Sequence, residues 1–221
     1  GDQARETEER RGIMYTLVYF DMRGRAEPIR MLFALAGVAF VDRRVPGADW
    51  PDVEPTTKFG KLPVLLVHGR QLPQSNAILR YLARRFGFYG RDEWECAQVD
   101  AVADQIADFD SDYVSWLAVQ LDDASSVEEK KALYTDVWLP AKTRHFSIFQ
   151  SLLAESKARF LVGSRLSYAD VLLSSRLDVL EGLLGPDDLY LDFPEIGAFK
   201  QRVFNVPLLR EYVLKRPPSR V

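Results

Sequence analysis

Hydrophobic and polar positions follow two different periods along the first 90 residues, and each period predicts one kind of element. The aromatic and β-branched run Met14 to Phe20 predicts a strand, which the turn-prone DMRGR ends. In AEPIRMLFALAG the apolar residues recur at helical spacing, with Pro28 suited to the first turn and Gly37 to the C-terminal stop. Residues 40–45 predict a second strand. The order so far is strand, helix, strand.

A hairpin and a second helix complete this part of the chain. The segment LPVLLVHGRQLPQ contains two short strand-like runs around a Gly-containing turn, which predicts an antiparallel hairpin. Ser75 is placed to cap the helix that follows. One face of that helix is apolar: Ile78, Leu79, Leu82 and Phe86. We therefore predict an α/β domain over residues 14–90, and a flexible, charge-rich tail over residues 1–13.

After GFYGRDEWE the pattern is helical to the end of the sequence. The first helix has an apolar face made of Val99, Val102, Ala103, Ile106 and Phe109. Ser126 with Glu129 predicts a capping box that opens a second, long helix, and Pro140 predicts a kink or break within it. Ser167 with Asp170 predicts another capped helix, followed by two short ones. Residues 92–221 are thus expected to form an all-α domain.

Composition narrows the class of protein. Apolar residues make up 47% and charged residues 28%, and 29 Lys+Arg against 32 Asp+Glu leave a formal charge of −3, so neither nucleic acid nor an anionic membrane is expected as the main partner. The longest apolar stretch, residues 31–41, is too short for a membrane span. Cys96 has no partner for a disulfide, which favours a reducing compartment, and we expect a cytoplasmic protein.

Six motifs, in this order, resemble the sigma class of cytosolic glutathione transferases: VYFDMRGRAEPIR, ADWP, FGKLPVL, QSNAILRYL, VDAVADQIADF and GSRLSYADV. The resemblance runs from about Tyr15 to the C-terminal KRPPSRV, and residues 117–158 match least well. It implies a thioredoxin-like N-terminal domain followed by an all-helical domain, with glutathione as co-substrate, a hydrophobic electrophile as second substrate and a role in detoxification. It also implies a homodimer.

The chemistry of glutathione requires a group that stabilises its thiolate. A thiol of this kind has a pKa of about 8.5, so it is mostly protonated at neutral pH. A hydrogen bond to an ionised group contributes roughly 1.5–3 kcal/mol, so one donor lowers a thiol pKa by about 1–2 units. The resemblance assigns this role to Tyr19, with Arg25 supporting its hydroxyl electrostatically. Because the pKa of a tyrosine hydroxyl is about 10, it keeps its proton at pH 7 and acts as a hydrogen-bond donor rather than a base. Outside this context, Tyr19 would be an ordinary strand tyrosine.

The other groups of glutathione also find partners by resemblance. Phe20 packs beneath the site, and the Leu62-Pro63 bond is the family's cis-proline turn, which presents Leu62 to the peptide-like middle of the ligand. Gln74 and Ser75, at a helix N-terminus, serve the γ-glutamyl carboxylate. Residues that could hold the glycyl carboxylate are Trp50 and Lys61, although a buried Trp and a solvated Lys are the plain alternatives.

The sequence departs from the glutathione transferase pattern at two positions, Glu54 and Ala107. Glu54 stands where several relatives carry a second lysine, so we hypothesise weaker glutathione binding here. Asp108 matches the carboxylate that reaches the γ-glutamyl ammonium of glutathione in the neighbouring subunit, which implies a two-fold dimer. Relatives that bind a divalent metal bring three carboxylates here, whereas this chain has Ala107 between Asp104 and Asp108, and no metal is expected.

The second substrate and competing functions are the least specific part of the interpretation. Candidates for the apolar pocket are Met22, Trp116, Leu172 and Val221. Sigma-class relatives include glutathione-dependent prostaglandin isomerases, but Leu172 and Arg176 stand where those carry an aromatic residue and a cysteine. A non-catalytic crystallin-like protein or a carrier of apolar ligands is a further alternative. Disulfide exchange is not favoured, since Tyr-Phe-Asp-Met replaces Cys-x-x-Cys, and His68 and His145 form no ligand cluster.

Overall fold

The computed structural model describes residues 14–156 and 159–219, which divide into two compact units. The first unit contains the described residues up to Phe88 together with those from Asn205 onward, and the second runs from Tyr89 to Phe204. The sequence predicts a helical domain that continues to Val221, whereas residues 205–219 associate with the first unit. The tail predicted for residues 1–13 lies outside the described residues.

A four-stranded mixed sheet forms the centre of the first unit. Its strands are β1 (Tyr15–Phe20), β2 (Val41–Val45), β3 (Val64–Val67) and β4 (Arg70–Pro73). They lie in the order β2-β1-β3-β4. β1 pairs parallel with β2 and antiparallel with β3, and β3 pairs antiparallel with β4. The predicted thioredoxin-like βαβ-ββα arrangement is therefore confirmed.

Glycines with positive φ end the two longer helices that pack on this sheet. One 3₁₀ turn (Gly24–Ala26) leads into α1 (Glu27–Ala36), whose C-terminal stop is Gly37 at φ +63°. The short α2 (Trp50–Val53) precedes the hairpin, and α3 (Ser75–Phe86) follows it and ends at Gly87. Apolar faces of α1 and α3 are buried, including Ile29, Leu32, Phe33, Ile78, Leu79 and Leu82.

Helices are the only regular secondary structure among the described residues of the second unit. Its helices are α4 (Glu93–Leu121), α5 (Val127–Leu133), α6 (Leu139–Glu155), α7 (Tyr168–Leu184), α8 (Pro186–Tyr190) and α9 (Pro194–Phe204). In the described part of the chain, no helix is both long enough and apolar enough to cross a membrane. The apolar face predicted for α4 is buried as expected.

Pro140 coincides with the predicted irregularity in the long helix. Residues 134–138 form a π-helical stretch between α5 and α6, and the Leu139 N–H donates to the Tyr134 carbonyl five residues back. Pro140 has no N–H to continue the i to i−4 pattern, and its ring crowds the preceding turn. The helix therefore widens by one residue before α6 begins, which is the form that the predicted break takes.

Capping residues open three helices of the second unit. The side chains of Asp92 and Ser126 accept from the Glu95 and Glu129 N–H groups, and Ser167 with Asp170 forms a complete capping box. Asp170 is fully buried, and burial raises its pKa to about 6 despite three hydrogen bonds donated to its carboxylate. The capping box predicted for Ser167 and Asp170 is confirmed, Ser126 caps its helix through its own side chain without the full box, and the Asp92 cap was not predicted.

The C-terminal end of the chain differs from the prediction of two short helices. Three follow α7, namely α8, α9 and the final α10 (Pro207–Lys215). Each begins at a proline, which favours the first turn of a helix as readily as it ends one. The last of them, α10, packs against α1 in the first unit.

Candidate active site

The first unit gathers several predicted site positions at one edge of its sheet. In the sheet register Val18 lies opposite Val64, and Val64 lies opposite Pro73. The next positions toward that edge are all residues predicted to bind glutathione: Tyr19, Pro63 and Gln74. The strand order β1-β3-β4 thus brings together residues from three separate parts of the first unit's sequence.

Tyr19 is the penultimate residue of β1, and its side chain is nearly buried, with 7% of its surface exposed. Its hydroxyl oxygen accepts a hydrogen bond of 3.1 Å from the backbone N–H of Arg25. This N–H belongs to the 3₁₀ turn that precedes α1, where free backbone donors point away from the helix. The partner of the hydroxyl is therefore a fixed group of the main chain.

Arg25 contacts the hydroxyl through its main chain. The residue is exposed, and the hydrogen bond comes from its backbone nitrogen. A main-chain donor is preserved by any non-proline residue at this position. The turn therefore holds the hydroxyl, and the electrostatic support expected from the Arg25 side chain stays a prediction.

Gly24, which the sequence interpretation missed, lies directly against the Tyr19 hydroxyl group. Its φ is +41°, and a Cβ built on it would lie 2.6 Å from the Tyr19 hydroxyl oxygen. Both the backbone conformation and the close approach therefore require glycine. A glycine between two arginines at a strand-to-helix junction was the available signal.

Aromatic side chains extend the site from Tyr19 along the first unit. The rings of Tyr19 and Phe20 lie 5.6 Å apart, and those of Phe20 and Trp50 lie 5.2 Å apart, both edge to face. Trp50 is the first residue of α2 and is partly exposed, so its indole is not the fully buried core residue considered as an alternative. Lys61 is exposed two residues before the cis-proline.

The Leu62-Pro63 bond is cis, as predicted. At the other predicted contact, Ser75 is the first helical residue of α3 rather than its cap, and Gln74 occupies the cap position at φ +75°. The Gln74 side chain makes no capping hydrogen bond. A residue other than glycine in this conformation is under backbone strain, which is typical of binding sites.

Burial differs among the residues predicted to line the second-substrate pocket. Trp116 is fully buried in the second unit, where it stacks on Trp138 with centroids 4.6 Å apart, and Leu172 is 2% exposed. Their contact with a second substrate stays a prediction. Met22 is partly exposed in the first unit, and Val221 lies outside the described residues.

The acidic positions lie on the surface of their helices. Asp108 and Asp104 are exposed on α4, with Ala107 between them. Among the described residues, no group of three or more His, Cys, Asp or Glu could hold a metal ion. On α7 the guanidinium of Arg176 contacts the Asp110 carboxylate at 2.8 Å, and the Tyr113 hydroxyl donates to the same carboxylate at 2.9 Å.

Family models match most of the chain. The model of the glutathione S-transferase N-terminal domain matches residues 15–84, and that of the C-terminal domain matches residues 107–216. The protein named probable glutathione S-transferase 6 of Caenorhabditis elegans is 37% identical over 206 residues, which cover 93% of this chain and 98% of the relative.

Solved structures agree with the family models. A Nu-class glutathione S-transferase from Haemonchus contortus is 40% identical, with a TM-score of 0.86 over 95% of this chain and 100% of that one. A monomeric glutathione S-transferase from Necator americanus is 37% identical, with a TM-score of 0.89 over 94% and 100%. The prostaglandin synthase D of Nilaparvata lugens is 30% identical, with a TM-score of 0.82 over 93% and 100%.

The fold is thus a thioredoxin-like domain joined to a helical domain, with a tyrosine hydroxyl at the sheet edge. On these matches the chain belongs to the glutathione S-transferase family. Glutathione is the co-substrate of that family.

Proposed function

We propose that the chain is a glutathione S-transferase in which the Tyr19 hydroxyl donates a hydrogen bond to the glutathione thiolate. One observation carries this proposal: the hydroxyl oxygen accepts from the Arg25 N–H, while no acceptor for its proton is found among the described residues. The proton is therefore available to a bound ligand. Because Tyr19 is nearly buried, a hydrogen bond made there is only weakly shared with water.

The reaction uses the thiolate that Tyr19 stabilises. The thiol proton passes to solvent, and the sulfur lone pair then forms a bond to an electrophilic carbon. Where that carbon carries a leaving group, its bond breaks and the leaving group departs with the electron pair. Tyr19 keeps its own proton throughout, and its contribution is electrostatic stabilisation of the sulfur anion.

The remaining groups of glutathione fit the other residues of the same sheet edge. The free N–H groups at the start of α3 suit the γ-glutamyl carboxylate, with Gln74 and Ser75 beside it. The backbone of Leu62, before the cis-proline, suits the peptide-like middle, and Phe20 packs under the site. For the glycyl carboxylate we propose the donors of Trp50 and Lys61.

We also propose a homodimer in which Asp108 contacts the γ-glutamyl ammonium of glutathione in the partner subunit. Exposure of Asp108 on α4 is compatible with this role. The Necator americanus relative is described as monomeric, so the assembly needs its own measurement. A cytoplasmic location and the use of residues 92–221 for the second substrate and the dimer belong to the same proposal.

Membership of the sigma class is the finer part of the assignment. The Nilaparvata lugens neighbour is named a prostaglandin synthase D, which supports an isomerase as the second candidate. We favour conjugation, because Leu172 is buried in the core and the Arg176 guanidinium is engaged by Asp110. Turnover of a prostaglandin endoperoxide faster than of aryl halides would reverse this choice.

Replacement of Tyr19 by phenylalanine tests the proposed mechanism. Loss of one preorganised donor is expected to lower kcat for chlorodinitrobenzene about 10²-fold. It is also expected to raise the apparent pKa of bound glutathione by about 1–2 units. Tyr15→Phe is the matched control, because Tyr15 lies on the same strand and its hydroxyl accepts from the Arg85 guanidinium instead.

The measurement is kcat/KM against pH, with thiolate absorbance of the glutathione complex as an independent readout. Equal activity and equal pH profiles for Tyr19→Phe and Tyr15→Phe would contradict the role of Tyr19. Absence of glutathione binding to the unmodified protein would leave a structural, crystallin-like protein as the better interpretation.

A further inference from the structure

A buried network of charges lies beneath the turn that holds the Tyr19 hydroxyl. Arg30 on α1 is 1% exposed, and its Nη1 donates to the backbone carbonyls of Met22 at 2.9 Å and Arg23 at 3.3 Å. These two residues immediately precede Gly24. The position of the turn is therefore tied to the position of the Arg30 guanidinium.

The same guanidinium is anchored on two sides by carboxylates. Its Nε lies 3.1 Å from both carboxylate oxygens of Asp42 on β2, and its Nη1 lies 3.4 Å from Glu27. The side chain of Glu27 is 2% exposed. A buried carboxylate needs compensating donors, so the charge balance of Glu27 affects where Arg30 rests.

Those compensating donors come from the far end of the chain. Arg216, just after α10, approaches the Glu27 carboxylate at 2.9 Å, and the Tyr212 hydroxyl donates to the same oxygen at 3.1 Å. Only 6% of the Arg216 side chain is exposed. Burial and the Glu27 charge raise the pKa of Tyr212, so it remains a donor across the physiological range.

We propose that Arg216 is a positioning residue for the Tyr19 hydroxyl, acting through Glu27, Arg30 and the backbone turn that carries the Arg25 N–H. Arg216 holds one Glu27 oxygen, and Arg30 is left to serve the Met22 and Arg23 carbonyls. Without Arg216, the Glu27 charge draws on Arg30 instead, and the turn loses its restraint. This inference rests on the function proposed above for Tyr19.

The primary test compares Arg216→Met with Arg210→Met. Arg210 is an exposed arginine on α10, the helix that Arg216 directly follows, so it controls for loss of a positive charge from residues 205–219. We expect Arg216→Met to lower kcat about tenfold and to raise the apparent pKa of bound glutathione, with KM for glutathione changed less than about twofold. Arg210→Met is expected to match the unmodified protein.

A double variant decides whether the effect passes through Tyr19. If Arg216 acts on the hydroxyl, then Arg216→Met causes almost no further loss of kcat in a Tyr19→Phe background, because the affected interaction is already absent. Full additivity of the two losses would overturn the proposal. So would a lowered unfolding temperature of Arg216→Met with an unchanged pH profile, since that result describes a purely structural residue.

Two further variants keep the test decisive if Arg216→Met does not fold. Arg216→Lys is expected to restore most of kcat, and Tyr212→Phe, which removes the second donor to Glu27 but keeps the ring, is expected to lower kcat about threefold. Unchanged kcat in Tyr212→Phe would overturn the proposal in that case. If Tyr19→Phe is itself fully active, the proposed function fails; if only the Arg216 and Tyr212 variants are active, this inference alone fails.

Discussion

Replacing Gly24 by alanine perturbs the Tyr19 hydroxyl without touching the tyrosine itself. The new Cβ would lie 2.6 Å from the hydroxyl oxygen, whereas ordinary contacts begin at 3.4 Å, so one of the two groups must move by about 0.8 Å. The φ of +41° adds roughly 1–2 kcal/mol of backbone strain for any residue with a side chain. Stability and activity are therefore both affected.

Gly37→Ala separates these two effects. Gly37 also has a positive φ, +63°, but a Cβ built on it meets nothing within 4 Å. Both variants should thus lose about 1–2 kcal/mol of unfolding free energy in a denaturant titration. Only Gly24→Ala should lose activity, by about ten- to a hundredfold in kcat, because a displacement approaching 1 Å spoils a preorganised contact.

The assay is glutathione conjugation with chlorodinitrobenzene across pH, run at a temperature where both variants are folded. Gly24→Ala should also raise the apparent pKa of bound glutathione toward that of Tyr19→Phe. If the two alanine variants have the same kcat and the same pH profile, the hydroxyl is not held by the turn, and the reasoning from Gly24 is refuted.

Three other predictions concern acidic residues. Burial raises the pKa of Asp170 to about 6 from 3.8, so its stabilising effect is complete below about pH 3.8 and is lost as pH rises through 6. Unfolding free energy should fall by about 3 kcal/mol over that window, a slope that Asp170→Asn removes even though the variant is less stable overall. The Glu54 carboxylate lies beside Gly60, the residue that precedes Lys61, and its negative charge should weaken glutathione binding. Glu54→Lys is expected to lower the Kd for glutathione about two- to fivefold in calorimetry, and an unchanged Kd would contradict this. Asp108→Asn should raise KM for glutathione about tenfold, and a monomeric mass of the unmodified protein in sedimentation would contradict the shared site.

Local sequence signals were sufficient for most of the fold. The elements in the structure correspond to the aromatic and β-branched run in residues 15–20, the helical spacing up to Gly37 and the hairpin around the Gly69 turn. These signals depend on contacts between neighbours in sequence, so a pattern of a few residues contains them. The cis bond before Pro63 came from family resemblance, since sequence alone favours trans.

Other features depend on tertiary contacts and were missed or misassigned. Ser75 has the chemistry of a cap, but the strained Gln74 takes that position because the hairpin enters the helix there. Trp116 stacks on Trp138, which is the last residue of a π-helical stretch that no periodicity predicts. The importance of Gly24 becomes visible only when its distance to another side chain is known.

The thioredoxin-like unit is assembled from two segments that are far apart in sequence, since residues 205–219 pack with residues 14–88. During synthesis on a ribosome, the helical unit between them emerges before the last segment is available. Until then Glu27 lacks Arg216 and Tyr212, and a carboxylate destined to be buried remains without these donors. Residues 14–88 of the first unit are therefore translated well before the segment that completes the electrostatic balance around Glu27.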